Sequence, residues 1–131
     1  GVTSFAKSNS DTFVENKWGT DEYNTRNQIK ELSNDQGFNK TCKTLRLNEK
    51  GKEEAIRMFN NNGITDSETI KKAMNLQAKT GASQSEVIAA QKIRQQADKD
   101  KLKTGEIRAS LSSAGLSNSD VNRAMSLIDQ L

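Results

Sequence analysis

Histidine and proline are absent from this chain of 131 residues, and cysteine occurs once, as Cys42. Without histidine, the chain cannot form Ser-His-Asp or Cys-His catalytic groups, and it cannot build a histidine-ligated metal site. A single cysteine cannot hold a metal cluster or form an intramolecular disulfide. The lack of proline favours a helical chain whose turns are made by Gly, Ser, Thr and Asn. We therefore expect no metal and no cofactor, and we interpret Cys42 as an ordinary small residue.

Long apolar stretches are also absent, since apolar residues make up only 32% of the chain and no run approaches the ~20 residues that span a bilayer. The N-terminus carries no charged and apolar regions of the kind found in a signal peptide. These features predict a soluble, cytoplasmic protein. The chain begins with Gly1 rather than Met, so a processed or exported mature chain stays an open alternative.

What the chain does contain is a recurring pattern at residues 63–68, 81–87 and 115–121. In each segment a Gly that can adopt the left-handed conformation is followed by an apolar residue, and then by Ser or Thr with an acid three residues later. This order is typical of one helix ending and the next beginning with an N-cap. The predicted N-caps are Thr65, Ser83 and Ser117, with Glu68, Glu86 and Asp120 as the returning acids.

Apolar residues after these joints follow helical spacing, which predicts one-sided helices packed on a common core. The predicted core positions are Ile70, Ala73, Met74, Ala78, Ala90, Ile93, Ala97, Ile107, Leu111, Val121, Ala124, Met125 and Ile128. The fold class is therefore all-α. We expect a compact bundle of about five to seven short helices joined by tight turns capped by Gly, Ser and Thr.

The predicted organisation is a single helical domain over 1–131, with an aromatic-containing N-terminal segment at 1–36 and a helical body at 37–131. Thr20 begins a helix that runs to about Leu32, and 33–41 is predicted to be a loop. A helix follows from about Glu49 to Asn60, with Ala55, Ile56 and Phe59 inward. Another runs from Ser85 to about Lys103 and ends at Thr104-Gly105. Over 43–48 the alternating pattern leaves a short strand as an alternative.

Four of the six aromatic residues lie among the first 23 positions, namely Phe5, Phe13, Trp18 and Tyr23. One interpretation is that this segment folds back over the helices and contributes to the core. The other is that these side chains dock onto a partner protein, because aromatic residues are enriched at interfaces.

Residues 43–74 resemble a ribbon-helix-helix unit, with Lys43-Thr44-Leu45-Arg46-Leu47-Asn48 as the strand and helices on either side of Gly63-Ile64-Thr65. The resemblance implies a dimer whose paired strands enter the major groove of DNA. Thr44, Arg46 and Asn48 would then meet base edges, and the backbone at Thr65 would meet a phosphate. Residues 37–103 carry 14 basic and 8 acidic side chains, which is compatible with a polyanionic partner.

Catalysis by paired carboxylates is the one common hydrolytic chemistry that the composition allows, with Glu15, Asp21, Glu22, Glu31, Glu53 and Glu54 as candidates by residue type. Most such residues are solvated surface charges or lie at helix starts, so we expect no enzymatic activity. The leading hypothesis is a non-catalytic helical protein-interaction or assembly module, of the subunit, adaptor or chaperone type, whose partner is another protein or a second copy. The alternative is DNA binding through the unit at 43–74.

Overall fold

The computed structural model describes residues 22–131, which form seven helices and no strand. The predicted all-α fold is confirmed. None of the helices in 22–131 combines the length and the apolar character that crossing a membrane requires. In chain order the helices are α1 Glu22–Ser33, α2 Gln36–Thr44, α3 Glu49–Asn61, α4 Ser67–Thr80, α5 Gln84–Lys99, α6 Thr104–Ser113 and α7 Asn118–Asp129.

The three predicted joints lie between α3 and α4, between α4 and α5, and between α6 and α7. Gly63, Gly81 and Gly115 have φ values of 79°, 75° and 92°, the left-handed conformation that closes a helix. Ser83 accepts a bond from the backbone N–H of Glu86, and the Glu86 carboxylate accepts one from the backbone N–H of Ser83 at 3.0 Å. The capping box predicted at this joint is confirmed, and so is Ser117 as the N-cap of α7.

The N-cap predicted at Thr65 is wrong, because the residue after it caps α4. Asp66 accepts a bond of 3.0 Å from the backbone N–H of Thr69. The carbonyl of Thr65 instead accepts a bond of 2.6 Å from the side chain of Gln28 on α1. That glutamine also accepts a bond from Asn60 Nδ2 at 2.6 Å, so a buried amide joins α1 to the turn between α3 and α4.

The loop predicted over 33–41 is also wrong, since α2 occupies most of it. Asp35 accepts a bond of 2.8 Å from the backbone N–H of Phe38 and begins the helix. Phe38 and Cys42, four residues apart, are buried on its inner face. The polar residues of this segment therefore cover the outer face of a helix rather than forming a loop.

The alternative of a strand over 43–48 is wrong as well. Thr44 is the last residue of α2, and Asn48 is the N-cap of α3. Between them the backbone changes direction at Arg46, which has a φ of 60°. Leu45 and Leu47 are half-buried against the core, which accounts for the alternation of this short segment.

A further difference concerns Thr104 and Gly105, which were predicted to end the long helix. In the structure α5 ends earlier, at Lys99, and a turn at Lys101, with a φ of 57°, redirects the chain. Thr104 and Gly105 instead form the first turn of α6.

The helices pack against one another mainly in pairs. Helix α2 packs on both α1 and α4, α4 packs on α5, α5 on α7, and α7 on α6, while α3 packs chiefly on α1. One apolar cluster runs through the whole series. Of the predicted core positions, Ala78 and Ile93 are only half-buried, and the remaining ones are buried.

Gly81 and Gly105 form a matched pair for testing the turn that joins α4 and α5. A Cβ at either position would meet no atom within 4 Å, but only Gly81 has a positive φ. We expect Gly81→Ala to lower the free energy of unfolding by about 1 kcal/mol, because a side chain is strained in this conformation. Gly105→Ala should raise it by about 0.5 kcal/mol, because alanine is the better helix former. Urea unfolding followed by circular dichroism measures both; equal effects would contradict this account of the turn.

Candidate functional site

An apolar cleft opens between the C-terminal half of α5, the turn after it, and α6. It has a volume of about 240 Å³ and is open to solvent. We call it the α5–α6 cleft. Its lining residues are Ile93, Gln96, Ala97, Asp100, Leu102, Ile107, Ser110, Leu111 and Ala114.

The local sequence explains why this space stays open. Helix α6 spans 10 residues and packs chiefly on α7, so it covers the end of α5 incompletely. Small side chains at Ala97, Ser110 and Ala114 stand where larger ones would fill the space. The backbone N–H of Leu102 donates a bond of 2.9 Å to the carbonyl of Ala97, which holds the turn at the mouth of the cleft. Leu102 itself stays 37% exposed.

Three polar residues, Gln96, Asp100 and Ser110, are among those that line the α5–α6 cleft. Gln96 Nε2 donates a bond of 2.9 Å to Asp100 Oδ2, and Ser110 on α6 adds a hydroxyl to the lining. The second carboxylate oxygen of Asp100 has no bonding partner among the described residues. The cleft thus combines apolar walls with a few polar groups, the composition common to sites that bind small molecules or side chains.

Tyr23, at the start of α1, is the most exposed large apolar side chain of residues 22–131, with 76% of its surface accessible. Leu102 is the other side chain of this kind in the described part of the chain. The other three residues of the predicted aromatic docking set, Phe5, Phe13 and Trp18, lie outside the described residues, so only Tyr23 of the set can be located in the structure.

The residues predicted to contact DNA do not form the strand that the prediction required. Thr44 donates to the carbonyl of Lys40 within its own helix, and Asn48 accepts from the backbone N–H of Gly51. The carbonyl of Thr65 is bonded to Gln28, and Arg46 lies exposed in a turn. Because the strand is absent from 43–48, the resemblance to a ribbon-helix-helix unit is not supported by the fold.

Among the candidate acids, Glu31, Glu53 and Glu54 are exposed on helix surfaces, and Glu15 and Asp21 lie outside the described residues. Within 22–131 no cluster of acidic or cysteine side chains is arranged to hold a metal ion. Cys42 is fully buried, and burial raises its pKa to about 11. A thiol with that pKa carries little thiolate at neutral pH and is a poor nucleophile.

One buried carboxylate has a structural role beyond its predicted part in a capping box. Glu86, besides capping α5, has no exposed surface and accepts two bonds from Arg123 on α7, one of them 3.1 Å from Nη2 to Oε1. Burial raises the pKa of Glu86, but the bonds from Arg123 and from Ser83 outweigh it and hold the pKa below 4.5. No signal in the sequence links these two residues, which are 37 positions apart.

A second ion pair joins α2 and α4 more superficially. Lys71 Nζ lies 2.8 Å from Asp35 Oδ2 and 3.3 Å from Glu68 Oε1. The bond from Lys71 and the bond from the backbone of Phe38 lower the pKa of Asp35. Both residues are partly solvated, so this pair adds little to stability.

Comparison with protein-family models, with curated proteins and with solved structures finds no significant match for this chain.

Proposed function

We propose that this protein is a non-catalytic helical protein-interaction module and that the α5–α6 cleft is its binding site. The observation that supports the proposal most directly is an open apolar cleft, lined by Ile93, Leu102, Ile107 and Leu111, with a single carboxylate at its edge. Among these lining residues, Leu102 is one of the two exposed large apolar side chains of the described residues. An exposed apolar site with a polar edge is typical of a surface that receives a partner side chain.

The chemistry of the cleft specifies the partner group. An apolar or aromatic side chain would fill the walls, and a hydroxyl or N–H donor on that side chain would reach the free oxygen of Asp100. An aromatic side chain buries roughly 150–250 Å², which corresponds to about 4–6 kcal/mol of gross apolar stabilisation. The loss of translational and rotational freedom offsets much of this gain. We therefore expect a weak, reversible interaction.

The test uses two variants that carry the same substitution on the same helix. Ser110 lines the α5–α6 cleft, whereas Ser112 is exposed elsewhere on α6. Tryptophan at position 110 fills the cleft, and tryptophan at position 112 only adds surface. A random library of displayed 12-residue peptides is selected on the wild-type chain, and the enriched peptides are then measured against both variants by fluorescence polarisation.

We expect enriched peptides to share an aromatic anchor and to bind Ser112→Trp with affinity near that of the wild type. Binding to Ser110→Trp should be weaker by at least about 30-fold, because loss of an aromatic anchor costs about 2 kcal/mol or more. Circular dichroism and thermal unfolding of both variants check that the helices are retained. Peptides that bind both variants equally, or a selection that enriches none, would rule out the cleft as the binding site.

A further inference from the structure

Helix α6 is held to the rest of residues 22–131 by few contacts. Only two of its ten residues, Ile107 and Leu111, are buried, and the other eight are exposed. It packs chiefly on α7. In the described part of the chain, one side-chain hydrogen bond links it to another helix, from Arg108 Nη1 to Asn122 Oδ1 at 2.9 Å, and this bond is exposed. Detaching α6 therefore uncovers little apolar surface and breaks a bond that water replaces.

Helix α2 is also short and also buries only two residues, but it is attached more firmly. It packs on both α1 and α4. Its N-cap, Asp35, forms an ion pair with Lys71 on α4, and Asn39 accepts a bond of 3.1 Å from Lys52 Nζ on α3. Within 22–131 no side-chain bond joins α6 to α5, and the α5–α6 cleft separates parts of the two helices. Helix α6 therefore separates from its neighbours at a lower cost in free energy than α2 does.

The sequence of α6 makes it a weak helix once it is detached. Its N-cap, Lys103, has no side-chain acceptor for the first free N–H groups of the helix. Glycine and serine, which form helix less readily than alanine, take up positions 105, 110, 112 and 113. Because a helix of this length is at best marginal in water without tertiary packing, α6 should unfold when it leaves the other helices.

Two turns limit how far such an opening spreads. Lys101, with a φ of 57°, and Gly115, with a φ of 92°, change the direction of the chain on either side of α6. After the second turn Leu116 is buried, and the hydroxyl of Ser117 accepts a bond of 3.2 Å from the backbone N–H of Asp120. The start of α7 is therefore anchored independently of α6.

We propose that α6 is a lid on the C-terminal end of α5, and that it opens by local unfolding of residues 102–114 while the other six described helices stay packed. Opening widens the α5–α6 cleft, because Ile107 and Leu111 leave its lining. Segments with few buried contacts open at a much lower free energy than the whole protein. The inference goes beyond the proposed function, and it holds whether or not a partner occupies the cleft.

Native-state hydrogen exchange of the full ¹⁵N-labelled chain, followed by NMR spectroscopy at urea concentrations below the unfolding transition, tests the proposal. Relative to intrinsic rates, the amide of Leu111 should exchange at least about 100-fold faster than those of Ala90 on α5 and Ala124 on α7, because a local opening costs less free energy than global unfolding. The exchange of Leu111 should also depend only weakly on urea, since the opening exposes little surface.

A matched pair of variants tests why α6 opens. Ser110 lines the α5–α6 cleft, whereas Ser112 is exposed elsewhere on the same helix. Leucine at position 110 adds apolar contact across the cleft, and leucine at position 112 only improves the helix propensity. We expect Ser110→Leu to slow the exchange of the α6 amides by at least about tenfold. Ser112→Leu should slow it by about twofold or less.

Equal exchange rates and equal urea dependence at Leu111 and Ala124 would overturn the lid, because α6 would then open only together with α7. Equal slowing by the two leucine variants would overturn it as well, since the space between α5 and α6 would then have no part in the opening. Neither result affects the peptide selection, which decides the proposed function separately, so the two failures can be told apart.

Discussion

Arg123→Ala is expected to lower the free energy of unfolding by about 3 kcal/mol at pH 7. The reason is that the substitution leaves the carboxylate of Glu86 fully buried without its counterion. The carboxylate keeps its bonds from Ser83, and helices α5 and α7 lose the ion pair that joins them. Arg94→Ala is the matched control, because Arg94 pairs with Asp98 on the surface of α5. That change should cost less than about 0.5 kcal/mol.

The loss caused by Arg123→Ala should depend on pH. In the wild type the pKa of Glu86 is lowered, so the contribution of the pair is fully present above the unfolded value of 4.5 and is lost as the pH falls through the folded pKa. In Arg123→Ala the burial of Glu86 is no longer offset, and its pKa rises above 4.5. The difference between the two proteins should therefore shrink as the pH is lowered from 7 toward 4 (a range that brackets the ordinary pKa of glutamate).

Urea unfolding of wild type, Arg123→Ala and Arg94→Ala at several pH values between those limits measures both effects. A loss for Arg123→Ala no greater than that for Arg94→Ala, or a loss independent of pH, would contradict the structural role of the buried pair.

Phe59→Ala is expected to lower the free energy of unfolding by about 4 kcal/mol, the largest effect of any single change proposed for this chain. Phe59 lies on α3 with no exposed surface and belongs to the apolar cluster that runs through all seven described helices. Its removal takes apolar area out of the core and leaves a cavity that the surrounding helices fill only in part. Tyr23→Ala, an aromatic truncation on an exposed surface, should cost less than about 0.5 kcal/mol.

The same experiment tests whether the helices unfold as one unit. If the core is continuous, the far-ultraviolet circular dichroism signal should be lost in one transition for both the wild type and Phe59→Ala. The substitution should lower the urea concentration at the midpoint of unfolding and leave the dependence of the unfolding free energy on urea concentration unchanged. A Phe59→Ala protein that unfolds in two steps, with α5, α6 and α7 melting as in the wild type, would show that the predicted single domain is incorrect.

The parts of the fold that could be predicted from the sequence are those governed by local chemistry. Gly81, Ser83 and Glu86 together specify a helix end and a helix start within six residues, and the capping box forms as expected. The apolar spacing of Val121, Ala124, Met125 and Ile128 likewise identifies the buried face of α7 without knowledge of its neighbours.

The errors arose where local signals were weak or ambiguous. Helix α2 has only two buried residues, Phe38 and Cys42, in a polar sequence with Gly37 near its start, so its pattern resembled that of a loop. Leu45 and Leu47, two positions apart, both pack against the core from the joint between α2 and α3. A half-buried strand has the same spacing of apolar residues, so the sequence of this short segment does not distinguish the two structures. In the turn before α4, both Thr65 and Asp66 are good N-caps, and the bond from Gln28 to Thr65 depends on tertiary structure.

The candidate site could not be predicted, since it is a space between elements rather than a motif. Ala97, Ser110 and Ala114 are ordinary helical residues in the sequence, and only the incomplete cover of α5 by α6 makes them the lining of a cleft. Tyr23 was identified by residue type as a docking residue, but its exposure depends on where α1 packs.

The central claim is that the α5–α6 cleft receives an aromatic side chain, and NMR spectroscopy of the ¹⁵N-labelled chain titrated with N-acetyl-tyrosinamide tests it most directly. We predict that the amide signals of Ala97, Leu102, Leu111 and Ala114 shift together in the wild type and in Ser112→Trp. The same signals should be insensitive to the probe in Ser110→Trp. Shifts confined to other parts of the chain, or equal shifts at these residues in Ser110→Trp, would contradict the claim.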